Sequence, residues 1–140
     1  MRNRLISAGL GVLCLSTVLV AHHSLKGEYD LDRLTQIKGV VTEVQWVNPH
    51  VRYYVDVADA AGLVSTWNVE ALAPHAMIKS GFAKTTLGVG DRVTVSGYSG
   101  KNLSPFIKKA LAMTRIALPD GKTVNVDPTG WMQSDPALPK

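Results

Sequence analysis

The chain has 140 residues, 46% of them hydrophobic and 19% charged, with a formal net charge of +4. That length holds one ordinary domain and not two, and the composition excludes a disordered chain. So small a positive excess makes no electrostatic case for nucleic acid, so the expectation is no nucleic acid partner.

Residues 1–21 read as a secretory signal peptide. Met1–Arg4 carries two arginines, Leu5–Val20 is uncharged and rich in Leu, Val, Ala and Gly, and the small residue Ala21 follows. The apolar run is short for a helix that needs about 20 residues to cross a bilayer. The expectation is therefore export, with no stable membrane anchor after cleavage. Cys14, the one cysteine, falls inside this segment. Leu13 before it is not the small residue that precedes a lipid-modified cysteine. A mature chain without cysteine forms no disulfide and no thiolate metal site. It keeps 13 basic against 11 acidic residues, a net charge of +2.

The mature domain is placed at residues 22–127, enough chain to bury a core without staples. Ser24–Leu34 is polar and reads as an extended lead-in. Ile37–Val47 is rich in strand formers; Gly39 within it signals a bulge or bend, and Asn48-Pro49 ends it. Val51–Val57 alternates, with Val51, Tyr53, Val55 and Val57 on one face and Arg52, Tyr54 and Asp56 on the other. Asp59–Gly62 reads as a hairpin turn, and Val64–Glu70 as a third strand. Pro74–Ser80 predicts a short helix, opened by proline and stopped by Gly81. Asp91–Ser96 is a fourth strand, and Gly97–Ser104 reads as a flexible loop. The Leu, Met and Ala content of Ala110–Leu118 permits a helix. The turn signal Leu118–Gly121, followed by Thr123–Val126, favours a strand in a hairpin. Residues 128–140 carry Pro128, Pro136 and Pro139 and read as a surface tail.

The predicted fold is mostly β: a small OB-like five- or six-stranded barrel with one short helix between strands 3 and 4. Closing a barrel hides its edges and fills its interior with the alternating apolar faces. An open sheet plus a helix is the competing architecture.

Four histidines stand off the predicted core faces: His22, His23, His50 and His75. Cleavage after Ala21 makes His22 the first residue, whose α-amine and imidazole can chelate one metal ion. A further histidine would complete a three-nitrogen site of the histidine-brace kind. Nitrogen-rich tetragonal sites suit copper(II), and metal can displace a proton from an amine whose reference pKa is about 7.7–8. Cleavage after Val20 puts His23 third, where amine, two backbone amides and imidazole form another copper(II) chelate. Candidate metal residues are therefore His22, His23 and His50, with copper the candidate cofactor and Glu70 a carboxylate that orients His50. The plainer alternatives are a solvated N-terminus, and an ordinary bond from His50 to Glu70 or Asp56. His75 reads as a polar residue at a helix start. Trp46, Tyr53, Tyr54 and Trp67 are candidates for a ligand-stacking face, with core packing the ordinary alternative. No pattern for a nucleophile triad, paired catalytic carboxylates or a phosphate loop is present.

Ala21-His22-His23-Ser24, Glu28-Tyr29-Asp30 and Trp46-Val47-Asn48-Pro49-His50 resemble a family of small exported bacterial proteins known only as a domain of unknown function. Trp67-Asn68-Val69-Glu70, Gly90–Val95 and Leu118–Gly121 extend the resemblance over nearly the whole mature chain. It implies a signal peptide, a periplasmic location and an OB-like β domain, and no established activity. Leu25 departs from the aromatic residue usual after His-His-Ser, and His75 has no counterpart.

Three functions follow as expectations. The first is a non-enzymatic periplasmic module that holds copper through His22, His23 and His50. The second is an interaction domain binding a peptide, glycan, small molecule or envelope protein on its aromatic face. The third is a copper-dependent oxidase or oxygenase.

Overall fold

A computed structural model describes residues 25–101 and 109–126. His22, His23, the predicted signal peptide and the tail at 128–140 lie outside the described residues.

The chain opens with one helical turn, α1 (Leu25–Glu28), and passes directly into β1 (Tyr29–Gln45). β2 (Arg52–Ala58) and β3 (Val64–Glu70) form a hairpin about Asp59–Gly62. There the Asp59 carboxylate accepts the backbone N–H groups of Ala61 and Leu63, and Gly62 takes φ +82°. The short helix α2 (Pro74–Lys79) follows, with proline in its first turn and Gly81 just past its end at φ +89°. β4 (Arg92–Gly100), β5 (Ala110–Ala117) and β6 (Thr123–Asn125) complete the order.

The pairing closes a barrel. β1 pairs antiparallel with β4 through its first part and with β2 through its last. β2 pairs with β3, β4 with β5, and β5 returns to β3 in parallel through Asn68–Ala110, Val69–Leu111 and Glu70–Ala112. β3 takes the first half of β5, and β6 pairs with the second half. Five strands closed in the ring β1-β2-β3-β5-β4, with a helix between β3 and β4, form an OB-type barrel.

β1 serves two neighbours because it bends. Its register slips between Val41 and Glu43 against β2, and between Asp30 and Leu34 against β4. The expected irregularity at Gly39 therefore falls a few residues on. Gly39 serves another purpose: a Cβ there would collide with the Asp56 carbonyl oxygen. Gly97 has the same role, since a Cβ would meet the carbonyl oxygen of Ala112. This corrects the reading of Gly97–Ser104 as a loop, because β4 runs through Gly97 to Gly100. Its glycines permit close strand contact where they had signalled flexibility. Likewise the lead-in at Ser24–Leu34 holds α1 and the start of β1.

The interior is the inward face of every strand. Val51, Val55, Val69 and Leu111 are fully enclosed, joined by Val41, Val95 and Ile116 and by Met77 of α2. A smaller cluster of Leu25, Tyr29 and Ala112 packs α1 against β5.

Candidate functional site

His50 stands in the loop between β1 and β2, next to the cis Asn48–Pro49 peptide. Two backbone bonds strap that loop to the chain leaving β3: Val51 N–H to the Leu72 carbonyl at 3.0 Å, and Ala71 N–H to the Val51 carbonyl at 2.8 Å. The strap sets His50 beside Glu70, the last residue of β3, and His50 Nδ1 hydrogen-bonds Glu70 Oε1.

Glu70 is only 7% exposed, and a buried carboxylate is costly unless it is fully partnered. Its second oxygen, Oε2, accepts the Tyr29 hydroxyl at 3.1 Å. Arg52, directly opposite in the β2–β3 register, brings Nη2 to 3.7 Å from the same oxygen. Burial acts to raise the Glu70 carboxyl. The hydrogen bond and charge of His50, the charge of Arg52 and the bond from Tyr29 outweigh it and hold the group below its ordinary 4.5. Burial first, and then the Glu70 charge, push the Tyr29 phenol far above its usual range, so it stays protonated and donates.

The tautomer of His50 follows. An ionised carboxylate only accepts, so the proton between the pair sits on Nδ1. With Nδ1 on Glu70, a metal would be ligated through Nε2.

These groups line one wall of a cleft of about 520 Å³. Glu28, Tyr29, Pro49, Arg52, Tyr54 and Asn68 share it with the pair. Gly100, Lys101 and Ala110, at the two ends of the β4–β5 connection, complete the lining, Gly100 as the strand partner of Tyr29 and Ala110 of Asn68. OB barrels take ligands on the β2–β3 face, between the β1–β2 and β4–β5 loops, and this cleft occupies that place. Among the described residues no group of three or more His, Cys, Asp or Glu could hold a metal ion.

The sequence-predicted residues separate. Of the two carboxylates weighed for His50, it meets Glu70 and not Asp56. Tyr54 reaches the cleft. Tyr53 does not belong to a ligand face: it is 2% exposed and part of the core, because it falls on the inward side of β2. Trp46 and Trp67 are partly buried and pack against that core. Trp67 carries Lys109 Nζ over its ring at 5.6 Å. Of the four rings, Tyr54 is the one that lines the cleft. His75 is exposed on α2.

Sequence reading missed Tyr29 and Arg52. For Arg52 a signal existed: counting back in register from the Asp59–Gly62 turn sets it opposite Glu70. For Tyr29 there was only the spacing of Leu25 and Tyr29, four apart in a polar segment.

Fold and cleft together define a small OB-type barrel domain with a histidine–carboxylate pair in its cleft. The chain belongs to the family of unknown function DUF6152, whose model matches residues 9–106. No curated protein matches it. Among solved structures it is similar to the mitochondrial single-stranded DNA-binding protein Rim1 of S. cerevisiae. That likeness has 15% identity and a TM-score of 0.48, over 61% of this chain and 93% of that one. It is also similar to a small single-stranded DNA-binding protein of Streptomyces coelicolor. There the identity is 19% and the TM-score 0.42, over 61% of this chain and 91% of that one. The barrel assignment rests on the strand order.

Proposed function

We propose that this protein is an exported, periplasmic copper-binding module in which His50 joins His22 and His23 around one ion. The observation that carries the reading is the bond between His50 Nδ1 and buried Glu70. A carboxylate on the far nitrogen fixes the ring and its tautomer and raises the basicity of the metal-facing nitrogen, the arrangement common around ligating histidines.

Chain length supports the rest. His22 lies three residues before Leu25, a reach of up to about 11 Å for an extended chain. Glu28 and Tyr29 already line the cleft that holds His50. A chelate from the terminal amine, His22 or His23, and His50 Nε2 is rich in nitrogen, which favours copper(II). The function is to hold the metal, without turnover.

The test is copper(II) titration of correctly processed protein, with electron spin resonance of the bound ion. Nitrogen couplings should appear. One residue added before His22, or His50→Ala, should each weaken binding at least about tenfold, and Glu70→Gln about tenfold or more. Acid should release the ion, because the amine and imidazole nitrogens must be unprotonated to bind. If neither the added residue nor His50→Ala alters affinity, the ligand set is wrong.

A further inference from the structure

Arg52 is underused by the protein around it. Its guanidinium has five N–H donors in a planar fork, yet its ionic partner, Glu70, stands 3.7 Å away, beyond ordinary hydrogen-bond reach. Glu70 already accepts from His50 on one oxygen and from Tyr29 on the other. The Arg52 side chain is 31% exposed and lines the cleft. Two residues along the same face of β2 stands Tyr54, and across from Tyr54 stands Asn68. Both line the cleft as well, and the Asn68 Oδ1 is enclosed without a hydrogen-bond partner.

We propose that this wall is a binding site for a small ring-bearing carboxylate. Arg52 takes the carboxylate through its fork, since two parallel N–H···O bonds match that anion's planar geometry. The Tyr54 ring packs on the ligand's ring. Cleft volume fits such a ligand, falling in the range of about 300–1,000 Å³ usual for small-molecule sites. Glu28 and Glu70 stand in the same cleft and oppose a multiply charged phosphate; Arg52 and Lys101 only balance them, so the fork of Arg52, and not an excess of positive charge, holds the carboxylate. The site does not rest on the copper reading, because Arg52, Tyr54 and Asn68 are not among the proposed metal ligands.

The experiment uses chelator-treated, isotopically labelled protein, so that failure of copper binding leaves its outcome unaffected. Benzoate, benzamide and inorganic phosphate are titrated separately while amide resonances are followed. Benzoate should shift the resonances of residues 52–54 and 68–70 and saturate. Benzamide, the same ring without charge, should bind at least tenfold more weakly, and phosphate more weakly than benzoate. Arg52→Lys keeps the charge and removes the fork; it should weaken benzoate at least fivefold, as should Tyr54→Ser. Equal binding of benzoate and benzamide overturns the proposal. So does tighter binding of phosphate, or benzoate affinity unchanged in a folded Arg52→Lys protein. Should that variant not fold, the benzoate–benzamide ratio in the unaltered protein and the Tyr54→Ser titration decide the matter.

Discussion

The barrel interior and the cleft wall hold together in different ways. The interior is built from many interchangeable contributions: Val55, Val69, Val95, Leu111 and Ile116 come from four strands, and Val51 from the residue before β2. The polar network on the cleft wall is built from four single residues, Tyr29, His50, Arg52 and Glu70. Tyr29 is 41 residues from Glu70 and His50 is 20 away, and each polar group relies on the others to offset its burial. An apolar side chain trimmed in the interior loses its own contacts and leaves a cavity. A partner removed from the wall leaves other groups desolvated and unmet. Damage in the first region scales with volume, and in the second with how many partners are orphaned.

The largest effect should come from the interior. Leu111→Ala, at a fully enclosed position, should cost about 2–5 kcal/mol in urea unfolding. A loss well under that range would mean that the interior collapses around the gap. Next comes the hub of the wall. Glu70→Gln keeps the shape but removes the charge that faces His50 and Arg52, and should cost about 1–3 kcal/mol. If that substitution is silent, the network contributes nothing and the contrast between the regions disappears.

The same carboxyl gives a pH signature. Its folded-state value lies below the ordinary 4.5, so as the pH falls below that number the unfolded chain binds a proton there before the folded chain does. Its stabilisation is complete above about 4.5 and is lost as the pH drops through the folded value. Urea midpoints of metal-free protein, taken from about pH 6 to about pH 3, should fall further for the unaltered chain than for Glu70→Gln. Parallel curves would remove Glu70 from the acid response.

Two tyrosines give the smallest and sharpest comparison. Tyr29 donates to a charged partner, so Tyr29→Phe should lower stability by about 1–3 kcal/mol. Tyr53 buries its hydroxyl in the interior without a hydrogen-bond partner. Tyr53→Phe should therefore leave stability unchanged or raise it by up to about 1 kcal/mol. Equal losses in the two variants would show that the Tyr53 hydroxyl has a bound partner, such as an internal water.

Local pattern determined a good deal of this protein. The alternation from Val51 to Val57 set which face of β2 turns inward, Pro74 and Gly81 bounded the helix, and the two turn signals located the hairpins. With that element order the OB-type barrel was legible, whereas the partner of His50 was left open between Glu70 and Asp56 until the fold set it beside Glu70. Tertiary structure alone decided the rest. Gly97 and Gly100 are strand residues because β5 presses on them, a fact held in Ala110 and Ala112 and not in their neighbours. Tyr29 becomes a cleft residue because β1 runs the length of the barrel and pairs its first residue with Gly100. Tyr54, which alternation had already set on the face opposite Tyr53, becomes a cleft residue because the closed ring brings Gly100 and Ala110 to the same cleft. Sequence period fixes how a strand faces, since side chains alternate along any strand. Only closure of the ring fixes which distant residues meet, since that depends on the register of five strands at once.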